Sequence, residues 1–348
     1  MADSLPKCRL CKVNDADQTG SHIVPHFLVK HIDNEEGKKG RDKELGAKIT
    51  ADDTVPYFGK SILPEKLEEF LGNEKLEELL DSQQGYQSDF IVDHILCSDC
   101  EKKLAALESY YSKIHANHEN QDYTTSSDKV LATLFWYSIL WRISVASTFI
   151  FKMNERDEKK IRRILNNYLE IDLSTTLQKP IDSDLDSIHY RLIRCPEYSD
   201  DNPVNFVASP LHNRPYSIMI GEVGTFFYLK KSHANSNNQM FFGFEEFIDD
   251  ASLNSHSLGE NVKVISNDEL DEVNIHTYKL LRDQKFKNAG IWLREIQNRL
   301  HSIGKVLTNE MAKEIFEKWR NSKSPFGIRH SKNEFLQITM EVIKQRIH

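Results

Sequence analysis

Cysteine is scarce in this sequence: five residues among 348 cannot form the dense disulfide framework on which small secreted domains depend. Ten prolines and 14 glycines are too few for a collagen-like or low-complexity chain. Residues 1–20 lack the basic and apolar stretches of a secretory signal peptide, so we expect a cytoplasmic protein. A hydrophobic share of 39% and a charged share of 28% predict instead an ordinary folded core.

An overall excess of positive charge is also missing. The net charge of −8 excludes a chain that is basic throughout, as an autonomous nucleic-acid binder would be. The charge is uneven, however: residues 279–348 hold 15 Lys and Arg against 7 Asp and Glu, a net +8, which leaves −16 for the rest. This asymmetry indicates either an interaction surface near the C-terminus or a set of solvated helix faces.

The chain has one long apolar run, at residues 130–151. Arg142 lies in its middle, where a charge costs about 2.5–3.5 kcal/mol during membrane insertion. We therefore predict a buried core helix rather than a membrane span, with a helix that packs on a partner as a further alternative. We expect Arg142 to be paired, with an acidic residue of the following helix as its partner.

Periodicity along the chain predicts an α+β protein of two domains. The first covers residues 1–120 and carries an insertion at about 33–90, in which 33–60 reads as an irregular loop and 64–82 as a helix. A polar stretch at 117–128 is the expected boundary. The second domain, 129–348, is predicted to be mainly helical with a small antiparallel sheet. Its expected elements are helices at 129–152, 155–170 and 268–348, strands at 188–194 and 204–208, and a hairpin at 215–230.

Four of the five cysteines form two Cys-x2-Cys pairs, Cys8 with Cys11 and Cys97 with Cys100. Two such pairs can close a tetrahedral site of four thiolates around Zn²⁺. The 85 intervening residues exceed the usual finger spacing, which the predicted insertion explains. The alternatives are four unrelated buried cysteines or a redox pair, although the thioredoxin-like context of a redox pair is missing. We expect Cys195 to be an ordinary thiol.

A third motif lies between the cysteine pairs, where residues 21–25 read Ser-His-Ile-Val-Pro. The second pair lies within the run 96–103, Leu-Cys-Ser-Asp-Cys-Glu-Lys-Lys. In this order the motifs resemble the HNH, or ββα-metal, endonucleases, and most closely a subgroup with Ser-His-Ile-x-Pro and Cys-x-x-Cys-Glu. The resemblance covers about residues 5–115. It implies that the first domain is a zinc-stabilised ββα-metal nuclease domain.

The resemblance also implies roles for single residues. His22 takes the position of the general base that activates water, and Glu101 takes that of the family's metal-binding His or Asn. A carboxylate there suits Mg²⁺ or Mn²⁺ as the catalytic cation, with Glu108 as a second candidate ligand. The zinc held by the cysteines would be structural. The chain departs from the family at Ser21, which stands where an acidic ligand is usual.

These expectations give a metal-dependent DNA endonuclease, resembling the regulated HNH effectors of bacterial anti-phage defence. The expected partner is DNA. Two further possibilities stay open: a regulatory protein partner, such as an ATPase or a short Argonaute, and an oligomeric state. No membrane association is expected. The alternative is a non-enzymatic, zinc-stabilised adaptor that binds nucleic acid or such a protein partner, which Ser21 in place of the acid favours. A nuclease acting on RNA is a third hypothesis.

Overall fold

The computed structural model describes twelve stretches of the chain. Their contacts divide the protein into two compact units, one formed by residues 1–32 and 87–274 and the other by 33–86 and 275–348. Each unit is discontinuous in sequence, so the second is assembled from an internal segment and the C-terminal region. The described residues are 5–33, 45–49, 54–58, 62–63, 65, 89–149, 151–202, 204–208, 214–235, 242–302, 304–321 and 332–346.

Both helices and strands are present, which confirms the predicted α+β class. The strands are β1 (Ser21–His22), β2 (Leu45–Ile49), β3 (Thr54–Phe58), β4 (Ile91–Val92), β5 (Tyr123–Thr124), β6 (His189–Arg194), β7 (Phe206–Ala208), β8 (Tyr216–Ile220), β9 (Val223–Tyr228) and β10 (Asn261–Val264). The helices are α1 (His26–Asp33), α2 (Ser98–His115), α3 (Lys129–Ala146), α4 (Glu155–Tyr168), α5 (Leu173–Gln178), α6 (Ser183–Asp186), α7 (Tyr198–Asp201), α8 (Glu245–Ile248), α9 (Asn267–Ser302), α10 (Asn309–Arg320) and α11 (Lys332–Arg346).

Helix α3 forms the centre of the first unit. The Asp128 side chain accepts hydrogen bonds from the amides of Val130 and Leu131, which satisfies two of the amides left unpaired at a helix N-terminus. Every residue from Leu131 to Val145 is buried, so the helix is enclosed on all sides. The prediction of a core helix is confirmed. Within the described parts of the chain, no helix combines the length and apolar character that crossing a membrane requires.

A six-stranded sheet packs with α3 in the first unit, in the order β5-β10-β6-β9-β8-β7. Strands β6 and β10 are parallel, whereas the other neighbours are antiparallel. The predicted hairpin is present as β8 and β9, and Gly221 in its turn has a φ of +58°, a conformation that glycine adopts without a steric penalty. The Tyr137 hydroxyl of α3 donates to the carbonyl oxygens of His189 and Tyr228 and so connects the helix to β6 and β9.

The compact units differ from the domains predicted from the sequence. The polar stretch at 117–128 lies within the first unit, where it includes β5 at the edge of the sheet. One hydrophobic core contains residues of both predicted domains, from Cys8 and Leu104 to Trp136 and Val262. The reason is that α2 and the cysteine motifs bury their apolar side chains against α3 instead of forming a core of their own.

The interpretation of residues 33–60 as an irregular loop is corrected in part. Strands β2 and β3 pair antiparallel there, with Leu45 opposite Phe58 and Ile49 opposite Thr54. The short, partly β-branched runs on either side of a polar sequence explain the pairing. The predicted helix at 64–82 lies outside the described residues, apart from Glu65.

The C-terminal region is helical as predicted, with α9, α10 and α11. Helix α9 begins with a capping box, because Ser266 and Glu269 exchange hydrogen bonds between side chain and backbone. The helices of the second unit enclose a small aromatic core that includes Trp292, Trp319 and Phe335. The sequence also predicts a break in this helical region at Pro325-Phe326-Gly327, which lie outside the described residues.

Candidate metal and catalytic site

The four paired cysteines converge, although 85 residues separate the two pairs. The Sγ atoms of Cys8, Cys11, Cys97 and Cys100 all lie within 4.8 Å of one another. Three of these side chains are buried, and Cys11 is partly exposed. They are close enough to hold a metal ion, and a set of four sulfur ligands is consistent with structural zinc. The convergence predicted from the two Cys-x2-Cys pairs is confirmed.

Both cysteine pairs lie on tight turns. The Lys12 amide donates to the Cys8 carbonyl at 3.0 Å, and Lys12 itself has a φ of +64°. In the second pair, the Glu101 amide donates to the Cys97 carbonyl at 3.0 Å as α2 begins. The Asn14 side chain donates to Cys97 Sγ at 3.7 Å, the kind of outer contact that orients a metal ligand.

The thiols of Cys8, Cys97 and Cys100 have shifted pKa values. The hydrogen bond with Cys100 lowers the pKa of the Cys8 thiol, and backbone amides add to this effect against the cost of burial. The same contact raises the pKa of Cys100, while burial raises that of Cys97. A negative charge is therefore already favoured at Cys8, and a bound cation would favour the thiolate form of the others.

Hydrogen bonds join the two turns directly. The Asp17 carboxylate accepts from the Ser98 amide at 2.8 Å and from the Ser98 hydroxyl at 3.0 Å. It therefore caps the first turn of α2, since Cys97 at the N-cap position makes no side-chain cap. The Arg9 amide also donates to the Ile95 carbonyl at 2.8 Å. The first turn and the start of α2 thus form one assembly around the sulfur atoms.

His22 ends the two-residue strand β1. Strand β1 pairs antiparallel with β4, so that His22 lies opposite Ile91, and the next amide, of Ile23, donates to the Phe90 carbonyl at 2.9 Å. The imidazole is partly exposed and lies edge-on to that of His26, with 6.4 Å between the ring centroids. The predicted base is therefore at a strand end that solvent can reach.

Glu101 in the first turn of α2 contacts β1 through Ser21. The Ser21 hydroxyl donates to Glu101 Oε2 at 3.0 Å. Burial raises the pKa of the Glu101 carboxyl, opposed by the positive charge of Arg142 and by the Ser21 hydrogen bond, and raised further by Glu108. The structure thus places a carboxylate beside the position where the sequence has Ser21 in place of an acid.

Glu108 lies two turns further along α2 and is paired. Arg142 Nη1 lies 2.5 Å from Glu108 Oε1, and the arginine side chain is 2% exposed against 22% for the glutamate. The expectation that Arg142 pairs with the following helix was wrong, because its partner lies on the preceding helix. Helix α3 packs against α2, and the pairing follows that contact.

Two further results concern single residues. Sequence reasoning did not identify Arg142 as part of this site, although a lone charge in an apolar run was a signal that it must have a partner. Cys195 is a buried thiol that donates to Asn267 Oδ1 at 3.2 Å, and burial raises its pKa to about 12. The interpretation of Cys195 as an ordinary core thiol agrees with this environment.

Comparison with known proteins identifies no relative of this chain. No family model, no curated protein and no solved structure matches the chain. The indication of function therefore comes from the arrangement of His22, Glu101, Arg142 and the four cysteines.

Proposed function

We propose that this protein is a metal-dependent endonuclease of the HNH type that hydrolyses phosphodiester bonds in DNA. One observation carries the proposal: the hydrogen bond from Ser21 to Glu101 brings the strand of His22 against the first turn of α2, next to the four sulfur atoms. A general base and a carboxylate are the two groups that metal-assisted phosphodiester hydrolysis requires of the protein.

The donor atoms fit two different cations. Four sulfur ligands suit Zn²⁺, which would have a structural role here because protein would fill all four positions of a tetrahedral site. Oxygen ligands suit Mg²⁺ or Mn²⁺, and the Glu101 carboxylate with the Ser21 hydroxyl offers such ligands. With Glu101 as its carboxylate ligand, such a cation would keep several of its water ligands. When bound, it would supply charge stabilisation at the phosphate.

We assign this role to Glu101 in preference to Glu108. The Arg142 guanidinium already neutralises Glu108, so a cation would have to compete with it for the same carboxylate. Glu101 accepts a hydrogen bond from the Ser21 hydroxyl, and burial raises the pKa of its carboxyl, a cost to the ionised form that a bound cation would relieve. The proposed base, His22, takes the proton of the attacking water in its neutral form.

Charge distribution suggests how the enzyme would meet its substrate. The basic residues 279–348 would contact the phosphate backbone, whereas the remaining chain is acidic. Lys287 and Arg294 are exposed and lie two helical turns apart on the same face of α9. Such an enzyme would act as a regulated effector, of the kind that serves bacterial anti-phage defence, if a protein partner controls its access to DNA.

A cleavage assay tests the proposal. The full-length, zinc-loaded protein is incubated with supercoiled plasmid in Mg²⁺, in Mn²⁺ or in EDTA, with single-stranded DNA and RNA in parallel reactions. We expect nicking or linearisation of DNA that requires the divalent cation. His22→Ala should abolish it while the zinc content and the unfolding midpoint stay unchanged.

The matched control is His94→Asn. His94 is in the same part of the unit, has a φ of +58° and contacts the Ala16 carbonyl through Nδ1, and asparagine tolerates that conformation and can keep the contact. This variant should cleave like the parent. Cleavage by His22→Ala at the parent rate would refute the assignment of the base. Salt-dependent binding to DNA without cleavage under any condition would instead support the adaptor function.

A further inference from the structure

Arg142 is an unusual residue for its place in the fold. It lies on α3 between Trp141 and Ile143, which are both fully buried, and it is itself 1% exposed. A guanidinium in such an environment is costly unless its donors and its charge are satisfied, and an apolar side chain there would avoid the cost. Its presence on an otherwise apolar helix therefore calls for a role that an apolar residue could not fill.

The contacts of Arg142 extend toward the candidate site. Nη1 donates both to Glu108 Oε1 at 2.5 Å and to the carbonyl oxygen of His22 at 2.7 Å. The other side of the guanidinium is held by its own helix, since Nε donates to the Ser138 carbonyl at 3.3 Å and Nη2 to the Ser138 hydroxyl at 3.4 Å. One nitrogen thus bridges β1 and α2 from a fixed position on α3.

We propose that Arg142 is a positioning residue for His22, and this inference depends on the proposed nuclease function. Strand β1 has only two residues and pairs with an equally short β4, so its ladder restrains the His22 backbone weakly. The hydrogen bond from Arg142 supplies a further restraint at the His22 carbonyl. This contact restrains the backbone position from which the imidazole projects. Through Glu108, the same guanidinium holds α2, the helix that carries Glu101.

The geometry favours arginine over lysine. The planar guanidinium presents donors in fixed directions, which lets it contact three groups on three elements at once. The lysine ammonium is a single point of charge on a flexible stem. It could bind Glu108 or the His22 carbonyl, but the hydrogen bonds to Ser138 would be lost. Arg142→Lys should therefore retain the charge and recover only part of the positioning.

Stability and positioning can be separated experimentally. Replacing a buried ion pair by two apolar side chains is often neutral or stabilising, whereas removing one partner leaves an uncompensated charge. The double variant Glu108→Met with Arg142→Met should therefore fold as well as the parent while losing the hydrogen bond to His22. Tyr137→Phe is the matched control, because it removes buried hydrogen bonds from the same helix to the sheet, at His189 and Tyr228.

The experiment compares these variants as zinc-loaded, full-length proteins. Plasmid cleavage in Mn²⁺ gives kcat and KM, thermal unfolding gives the midpoint, and hydrogen exchange reports on a peptide that covers residues 20–26. We expect kcat of the double variant to fall about 10²-fold, the loss that a displacement of about 1 Å causes, with KM unchanged. Exchange in the peptide should rise. Arg142→Lys should lie between the parent and the double variant, and Tyr137→Phe should match the parent in kcat and in exchange.

Two results would overturn the inference. One is a double variant that cleaves with the parent's kcat, because the arginine would then serve stability alone. The other is unchanged exchange at residues 20–26, because Arg142 would then not restrain the His22 backbone. If the parent itself cuts no substrate, the nuclease proposal fails, and the exchange measurement still decides whether Arg142 holds β1.

Discussion

The Ser21 hydroxyl donates a 3.0 Å hydrogen bond to the Glu101 carboxylate, across 80 positions of sequence. Taken alone, Ser21 is the position where the chain departs from the HNH motif that its sequence resembles. In the folded protein Glu101, on the facing helix, places a carboxylate beside the Ser21 hydroxyl. This part of the candidate site therefore has oxygen atoms that could bind a cation, although residue 21 is not acidic.

Substitution at Ser21 tests whether this place binds a cation. Ser21→Asp would set a second carboxylate beside Glu101, and we expect the metal-free variant to lose about 1–3 kcal/mol of unfolding free energy through repulsion of like charges. Mn²⁺ should then raise the unfolding midpoint of Ser21→Asp more than that of the parent, since binding to the native state stabilises it. Equal shifts in both proteins would contradict a cation site at Glu101.

The cysteine cluster predicts a large effect of single ligand changes. Cys97→Ser should lose the bound zinc, measured by mass spectrometry of the metal, and more than about 4 kcal/mol of unfolding free energy, as is usual when a metal site is destroyed. Cys195→Ser is the control, because its hydroxyl can still donate to Asn267 and it lies outside the cluster. Full zinc content in Cys97→Ser would exclude a site of four thiolates.

A buried carboxylate elsewhere in the first unit predicts a dependence on pH. Glu260 is 1% exposed and receives hydrogen bonds from the side chains of Tyr111, Thr125, Trp136 and Tyr190, at 2.7–3.0 Å. Burial raises its pKa above 4.5, although the four donors oppose this. A raised native pKa means that its contribution to stability is complete below pH 4.5 and is lost as the pH rises through the native value.

Glu260→Gln removes the titrating group, so comparison with the parent isolates the contribution of Glu260 to the pH dependence of stability. We expect the unfolding free energy of the parent to fall relative to that of Glu260→Gln as the pH rises above 4.5, by about 1.4 kcal/mol for each unit by which the native pKa is raised. Urea unfolding of both proteins between pH 4.5 and 8 gives this difference. If the parent instead became more stable relative to Glu260→Gln as the pH rises, the four hydrogen-bond donors would lower the pKa of Glu260 by more than burial raises it.

The basic face of α9 predicts the salt dependence of DNA binding. If Lys287 and Arg294 each contact a phosphate, changing both to Gln should weaken binding to any DNA sequence and reduce the slope of log affinity against log salt by about 2. Fluorescence anisotropy between 50 and 200 mM salt measures this slope. Lys159→Gln is the control, since Lys159 is exposed but paired with Glu155 at 2.6 Å. The same slope in the double variant and the parent would show that DNA binds elsewhere.

Sequence reasoning was most accurate where local patterns suffice. The spacing of Cys8, Cys11, Cys97 and Cys100 indicated a common site, because the type and pairing of the ligands are visible in the chain itself. The core helix α3 and the β8–β9 hairpin were recognisable for the same reason, from a long apolar run and a glycine turn. The β2–β3 hairpin was missed, since its strands are short and lie in a polar stretch.

Long-range pairing could not be read in this way. The partner of Arg142 was expected on the following helix, but it is Glu108 on the preceding one, because the packing of α3 against α2 decides which carboxylate the buried charge can reach. The division into units was also not predictable from composition, since the cysteine motifs and α3 share one core across the polar stretch at 117–128.

The amino-acid sequence by itself determined which groups are present: four thiols in two pairs, an imidazole in a Ser-His-Ile-Val-Pro motif, and an apolar helix with one arginine. These follow from residue type and near spacing, which act over a few positions. Only the tertiary structure decided that Glu101 meets Ser21, and that Arg142 holds both Glu108 and the His22 carbonyl. Those contacts join positions 34 to 120 residues apart, because burying apolar side chains of α2 and α3 together also brings Arg142 of α3 next to polar groups of α2 and β1.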